Sequence, residues 1–433
     1  MNSEARRGAT STGPHCVCLE SSIFGRDPCP EADCGPKINA LVRWAFYAFV
    51  VTIPFESVDL FRSDEGSLTV SKVLGLVFAG IALTQLRACF AKPLLAFWLF
   101  VAYFAVTLIL GVSGDREYWS AVSAYLLTLM QNLILFWISI NVLRDRRAIT
   151  GMLLAAGISC SVLSILMSLG IATREIATAD GKRLSFADAD PNSLALVLII
   201  GLFSLVGLAY VRNQPLRWKV LLLSFCVPLV QMIALAGSRA AVASLGVGTG
   251  TILIQRCGRG KAKPMLFLSA LFALMAWQVL RSEILMSRWE REFAEGGLGH
   301  RQSITLSALS MVADKPILGW GPFSHLTELS NREGYNLPFR DPHNDLLWAF
   351  TSTGILGGIP FMFAMWSCLH NAWKSRKGCE DILPLALMLV ICVTSLSITL
   401  HKRKIVWISM AYAVSSGGAV AFPSRSTAIN RRT

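Results

Sequence analysis

Residues 93–111 read PLLAFWLFVAYFAVTLILG, a run with no charged side chain. Crossing a bilayer core as a helix takes about 20 mostly apolar residues. A soluble helix keeps a polar face for water. This run offers only Tyr103 and Thr107. The pattern recurs along the chain. Stretches of the same character occupy roughly 39–55, 67–86, 119–143, 148–171, 193–211, 218–236, 240–255, 264–281, 345–369, 383–400 and 405–422. The one at 240–255 is short and carries Gly246, Gly248 and Gly250, which permit close helix contact. The predicted fold is all-α, a polytopic transmembrane bundle of about 12 spans, because helices satisfy their own backbone in lipid. Bulk composition agrees. Of 433 residues 54% are hydrophobic and 15% charged, where a soluble domain carries about 25% charged residues. Mean hydropathy is +0.53.

Working outward, residues 1–37 are polar and hold no apolar run, so no cleavable signal is expected there. They read as a disordered cytoplasmic tail, followed by a membrane domain over 38–423 and a basic tail over 424–433. The tail cysteines Cys16, Cys18, Cys29 and Cys34 lack the paired spacing of a zinc site. The net charge of +13 is spread over short loops, which argues against nucleic acid as a partner and for a positive-inside bias. With the N-terminus inside, Arg144, Arg146, Arg147, Arg256, Arg259, Lys374 and Arg376 fall on the inner side, and Glu56, Asp59, Asp115 and Glu175 on the outer. Every cysteine then lies in a span or on the inner side, so no disulfide framework is implied. One connection breaks the pattern. His401-Lys402-Arg403-Lys404 falls outside, so either the last helices are miscounted or this cluster meets an anion.

The long polar interruption, 283–344, falls on the outer side. It carries Arg288, Arg291, His300, Arg301 and His343, with a Lys315-Pro-Ile-Leu-Gly-Trp-Gly-Pro322 turn between them. His343 sits in Pro342-His343-Asn344-Asp345 at the mouth of a span. A helix N-terminus disfavours imidazolium, and a neutral imidazole can take a proton from a hydroxyl. The alternative is an interfacial histidine that only bonds the loop. Arg239, in the short Gly237-Ser238-Arg239 turn, either snorkels to headgroups or clamps an anion through its guanidinium fork. Arg301 opens an expected amphipathic helix to Ala313, with Ile304, Leu306, Leu309 and Met311 as its apolar face. Arg183 adds a cation in the loop before the sixth span. That loop ends in Asp190-Pro191-Asn192, where Asn192 is expected to cap the helix. No outer cluster has metal-ligand spacing, and there is no P-loop or dinucleotide fingerprint. Cations plus a base suggest chemistry with a phosphate leaving group and no obligatory metal.

Four stretches carry a family resemblance: Arg183 to Ala195, Ala236-Gly-Ser-Arg-Ala-Ala241, Arg301 to Gly321, and the run from Pro342-His343-Asn344 to Gly357. In order and spacing they resemble the O-antigen ligase and polymerase family. The resemblance implies an enzyme at the outer face of the bacterial inner membrane, multi-pass, with its catalytic loop periplasmic or extracellular. The expected reaction transfers a glycan from an undecaprenyl-diphosphate carrier to an acceptor hydroxyl, without metal or cofactor. The implied acceptor is lipid A–core in a ligase and another carrier-linked unit in a polymerase. His343 would be the base, Arg239 and Arg301 would bind the diphosphate, and Arg183 would assist. The competing class is a transporter or lipid flippase. That class places ionisable groups near the midplane of broken helices, whereas the polar chemistry here collects in a loop.

Overall fold

The computed structural model describes residues 38–58, 69–114, 118–178, 181–187, 189–211, 215–257, 300–334, 339–376 and 382–421, with isolated positions between 269 and 290. The tail over 1–37, the expected span at 264–281, the pair Arg288 and Arg291, and the C-terminal tail lie outside the described residues or almost entirely so.

Helices α1 (Ala40–Thr52), α2 (Val70–Ala82), α3 (Leu95–Gly114), α4 (Trp119–Val142) and α5 (Arg146–Ser168) open the bundle. Next come strands β1 (Thr173–Thr178) and β2 (Gly181–Phe186), then α6 (Pro191–Val211), α7 (Cys226–Leu235) and α8 (Arg239–Cys257). After the gap come α9 (His300–Asp314), α10 (Ser324–Arg332), α11 (Asp345–Ser375), α12 (Leu383–Ser395) and α13 (Lys404–Ala421). Among the described residues, seven helices are long and apolar enough to cross a membrane. Ala40–Phe55 and Leu383–Ser395 are shorter apolar helices. The starts are encoded locally. Asn39, Thr69, Asp145 and Asn344 each accept a first-turn backbone N–H in their side chains. Large apolar side chains such as Trp44, Leu95, Ile109, Leu127 and Trp366 are more than half exposed. A bundle surrounded by lipid leaves such side chains outward.

Hydrogen bonds define the two ends. At one end, Arg43 pairs with Asp145 at 3.1 Å, and the Tyr47 hydroxyl donates to Arg147 O at 2.8 Å. At the other, Lys404 pairs with Glu56 and Ser57 Oγ donates to Phe186 O. At that second end Asp345 Oδ1 accepts from Leu400 N and His401 N at 2.8 and 3.1 Å. The loop over 396–403 therefore sits beside the start of α11, with the hairpin nearby.

Two expectations need correction. The fold is not purely helical. Strands Thr173–Thr178 and Gly181–Phe186 pair antiparallel, with Ile176 opposite Arg183, because their Thr, Ile and Phe residues favour strand and carry no helical stripe. The expected apolar face of α9 is half right. Ile304, Ala308 and Met311 are buried with Leu329, whereas Leu306 and Leu309 are 59% and 50% exposed. The buried stripe follows i, i+4, i+7, which Leu306 and Leu309 do not share.

Candidate active site at one end of the bundle

The Pro342-His343-Asn344-Asp345 segment divides its work between neighbours. Asn344 Oδ1 accepts from Leu346 N and Leu347 N at 2.9 and 3.1 Å and caps α11. Asp345 is buried and also accepts His401 Nδ1–H at 2.9 Å. His401 Nε2 lies 2.9 Å from the Tyr125 hydroxyl. Asp345 Oδ1 thus holds the 396–403 loop through three hydrogen bonds.

His343 is the residue left facing outward, its side chain 42% exposed. Its φ is +52°, a left-handed conformation that costs a non-glycine residue of order 1–3 kcal/mol. Asp341 holds it there. Asp341 Oδ1 accepts His343 N at 2.6 Å and Thr399 Oγ1–H at 2.6 Å, and lies 3.8 Å from His343 Nδ1. Loss of water on its buried side lowers the His343 pKa. Arg301 and Arg340 lower it further, while Asp341 and Asp190 push back. The ring is therefore biased toward its neutral form. His325, in the same loop, is fully buried, its Nδ1 2.8 Å from Gly321 O, and burial pushes it down to about 3. It is a packing residue against Trp348, at 4.6 Å between ring centroids. The side chain of His300 lies outside the described residues.

Arg239 opens α8. Ser238 Oγ accepts Ala241 N–H at 3.3 Å and caps the helix, and Gly237 turns the chain at φ +62°. A cation at a helix N-terminus is disfavoured by the dipole, and an anion there is favoured. Arg183 braces this turn. It is buried at 6% exposure, with Nε donating to Ala236 O and Nη2 donating to Asn192 Oδ1, both at 2.9 Å. Asn192 is therefore Arg183's partner, and Asp190 supplies the cap by accepting Ser193 N–H at 2.8 Å. The Ser-Arg turn thus connects through Arg183 and Asn192 to Asp190, which lies within electrostatic reach of His343.

Arg301 sits in the first turn of α9, also within reach of His343. What fixes α9 relative to α11 is a lock that sequence reading did not see. The 315–322 turn docks into a break in α11 at Gly354, whose φ is +60° and ψ −158°. Trp320 N donates to Thr351 O and Gly321 N to Ser352 O, both at 2.9 Å. In return Ile355 N donates to Pro316 O at 2.8 Å. The two backbones touch because neither has a Cβ. One added to Gly319 would come within 2.6 Å of Gly354 N. Two separate glycine motifs are thus one structural unit, carrying Arg301 on one side and His343 on the other.

Sequence reading also missed Arg340 and Asp341 as electrostatic neighbours of His343. Their placement beside Pro342 was visible, but their orientation depends on Leu326 O and Thr399 from distant segments.

The fold and site together define a polytopic membrane-type protein with arginines and one strained histidine gathered at a single end. Residues 224–362 match the family model Wzy_C, described as O-antigen ligase. The chain's likeness to the O-antigen ligase family therefore holds over the stretch that contains Arg239, Arg301 and His343, and it supports a ligase-like role in polysaccharide biosynthesis. Arg183 lies outside the match. No curated protein matches the chain.

Proposed function

We propose that this chain transfers a glycan from a polyprenyl-diphosphate carrier, undecaprenyl diphosphate in bacteria, to an acceptor hydroxyl at the outer face of the inner membrane. The observation that carries this reading is His343. It is held half-exposed in a strained backbone, biased toward neutrality, with Arg301 and Arg340 around it. Strain of this kind persists where surroundings over-determine it, and it clusters at functional sites.

In the proposed mechanism the His343 imidazole takes the proton of the acceptor hydroxyl as that oxygen attacks the anomeric carbon. Asp341 is the orienting carboxylate, its present 3.8 Å separation from Nδ1 closing when substrate binds. The glycosyl–phosphate bond breaks, and the diphosphate leaves with its electron pair. Arg239, backed by the first-turn amides of α8, and Arg301 bind the diphosphate and stabilise the charge that develops on it. Arg183 acts through the 236–239 turn. The acceptor in a ligase reading is lipid A–core or a similar glycan. A polymerase would use the same base and clamp on a carrier-linked acceptor.

The clamp is tested by conservative change. Arg239→Lys and Arg301→Lys each keep the charge but lose the planar two-bond fork. Each is expected to lose most transfer activity, measured with purified protein at matched expression. Full activity in both would contradict bidentate diphosphate recognition. The same assay with EDTA tests metal independence. Transfer is expected to survive, and loss that a divalent ion restores would mean the arginines are not the whole electrophilic apparatus.

A further inference from the structure

The 401–404 loop is not used by the mechanism above, yet it is built against the site. Asp345 takes Leu400 N and His401 N, Trp407 Nε1 donates to His401 O at 2.7 Å, and Asn132 Nδ2 donates to Lys402 O at 3.3 Å. The loop is a fixed platform. Two of its four basic residues are accounted for, His401 by Asp345 and Lys404 by Glu56. Lys402 lies over the Trp348 and Tyr125 rings, its Nζ 4.3 and 5.1 Å from their centroids. It has no carboxylate at ion-pair distance among the described residues. Neither does Arg403, which is half-buried and whose charge opposes that of Lys402. Burial lowers the Lys402 pKa, with Asp341 and Asp345 opposing. Two adjacent like charges on a rigid loop cost free energy unless an anion joins them. Asp341 ties the loop to the site, since it accepts from both Thr399 and His343 N and lies in the surroundings of Lys402.

We propose that Lys402 and Arg403 form a phosphate-binding element beside His343, separate from the Arg239 and Arg301 clamp, which recognises a phosphate ester carried by the acceptor. This rests on His343 being the group that meets the acceptor hydroxyl. Asp341 joins the loop to the His343 backbone, so the pair sits on the side of the site where the proposed attack brings the acceptor. The Trp348 and Tyr125 ring faces hold the Lys402 ammonium itself, and its three N–H donors leave capacity for a phosphate oxygen.

The test uses the full chain in nanodiscs of neutral phosphatidylcholine, comparing wild type with a double variant, Lys402→Met with Arg403→Gln. Methionine keeps an unbranched side chain of similar length and removes the charge. One arm measures transfer to the host's own envelope glycolipid, before and after enzymatic dephosphorylation. The double variant is expected to raise KM for the phosphorylated acceptor about ten-fold or more, the loss of charge-assisted hydrogen bonds. The donor KM should stay within about two-fold, a difference small beside that loss, and dephosphorylated acceptor should erase the contrast. A rise in donor KM instead, an equal effect on dephosphorylated acceptor, or no change overturns the proposal. So does an effect present only with added phosphatidylglycerol, which assigns the cations to a lipid headgroup. A second arm follows inorganic phosphate binding by phosphorus NMR, and the variant should lose one site. If wild type transfers nothing but the variant still loses that site, the phosphate element stands and the His343 reading fails. If the variant loses no site, the element itself is wrong.

Discussion

Replacing His343 by glycine is expected to leave the protein folded and its donor bound, and to remove transfer. At φ +52° histidine is strained and glycine is not. The variant's melting temperature should therefore be unchanged or raised, which an alanine variant would not guarantee. Losing a general base costs about 10²–10⁴-fold in rate. His343→Asn is a second probe, since asparagine tolerates the left-handed region but cannot take the proton. The pH profile carries the sign. The active base is neutral, so activity falls as pH drops through the His343 pKa. That pKa lies below the ordinary 6.5, and the acid limb of kcat/KM should lie below it too. Arg340→Gln removes a charge that lowers the pKa, so the limb should move to higher pH. Asp341→Asn removes a charge that raises it, so the limb should move lower. Shifts in the same direction, or none, would mean that another group titrates.

The second large effect is expected at Gly354, a residue with no side-chain chemistry of its own. Gly354→Ala places a side chain in a backbone region that only glycine adopts freely, at a cost of order 1–3 kcal/mol. Its Cβ would also overlap the Ile317 carbonyl. Together these take a large share of a stability of order 5–15 kcal/mol. The expected result is a melting temperature lowered by many degrees and transfer lost, because Arg301 and His343 are no longer held together. Gly80→Ala is the control. Nothing lies within 4 Å of a Cβ there, and alanine in a helix should be neutral or mildly stabilising. A Gly354→Ala protein as stable and active as wild type would refute the lock.

These two effects also mark where sequence reading succeeds and stops. The helices were legible because lipid imposes one rule on a span, and that rule is written in consecutive residues. His343, Arg239 and Arg301 drew attention in the sequence because rare polar groups in an apolar chain stand out, and their roles are part of the proposal. The hairpin was not legible, since a short stretch that mixes polar residues with Ile176, Leu184 and Phe186 carries little periodicity. The Gly319–Gly354 contact was invisible for a deeper reason. A glycine states that a backbone is special, but not which distant backbone it touches. Arg183 shows the same limit. Its charge invited a ligand, whereas its guanidinium is bonded to Ala236 O and Asn192. The basic loop is the converse case. It was an anomaly of charge placement that became intelligible once Asp345 was seen to hold it.

The central claim is that the chain makes a glycosidic bond at the expense of a diphosphate-linked donor. The most direct measurement follows purified protein in liposomes, given a polyprenyl-diphosphate-linked glycan and the host's envelope glycolipid. Free polyprenyl diphosphate and newly glycosylated acceptor are quantified together. The account predicts that both appear in equal amounts, and that both disappear in His343→Gly while donor binding persists. Movement of intact donor between leaflets with no new bond would identify a transporter and contradict the account.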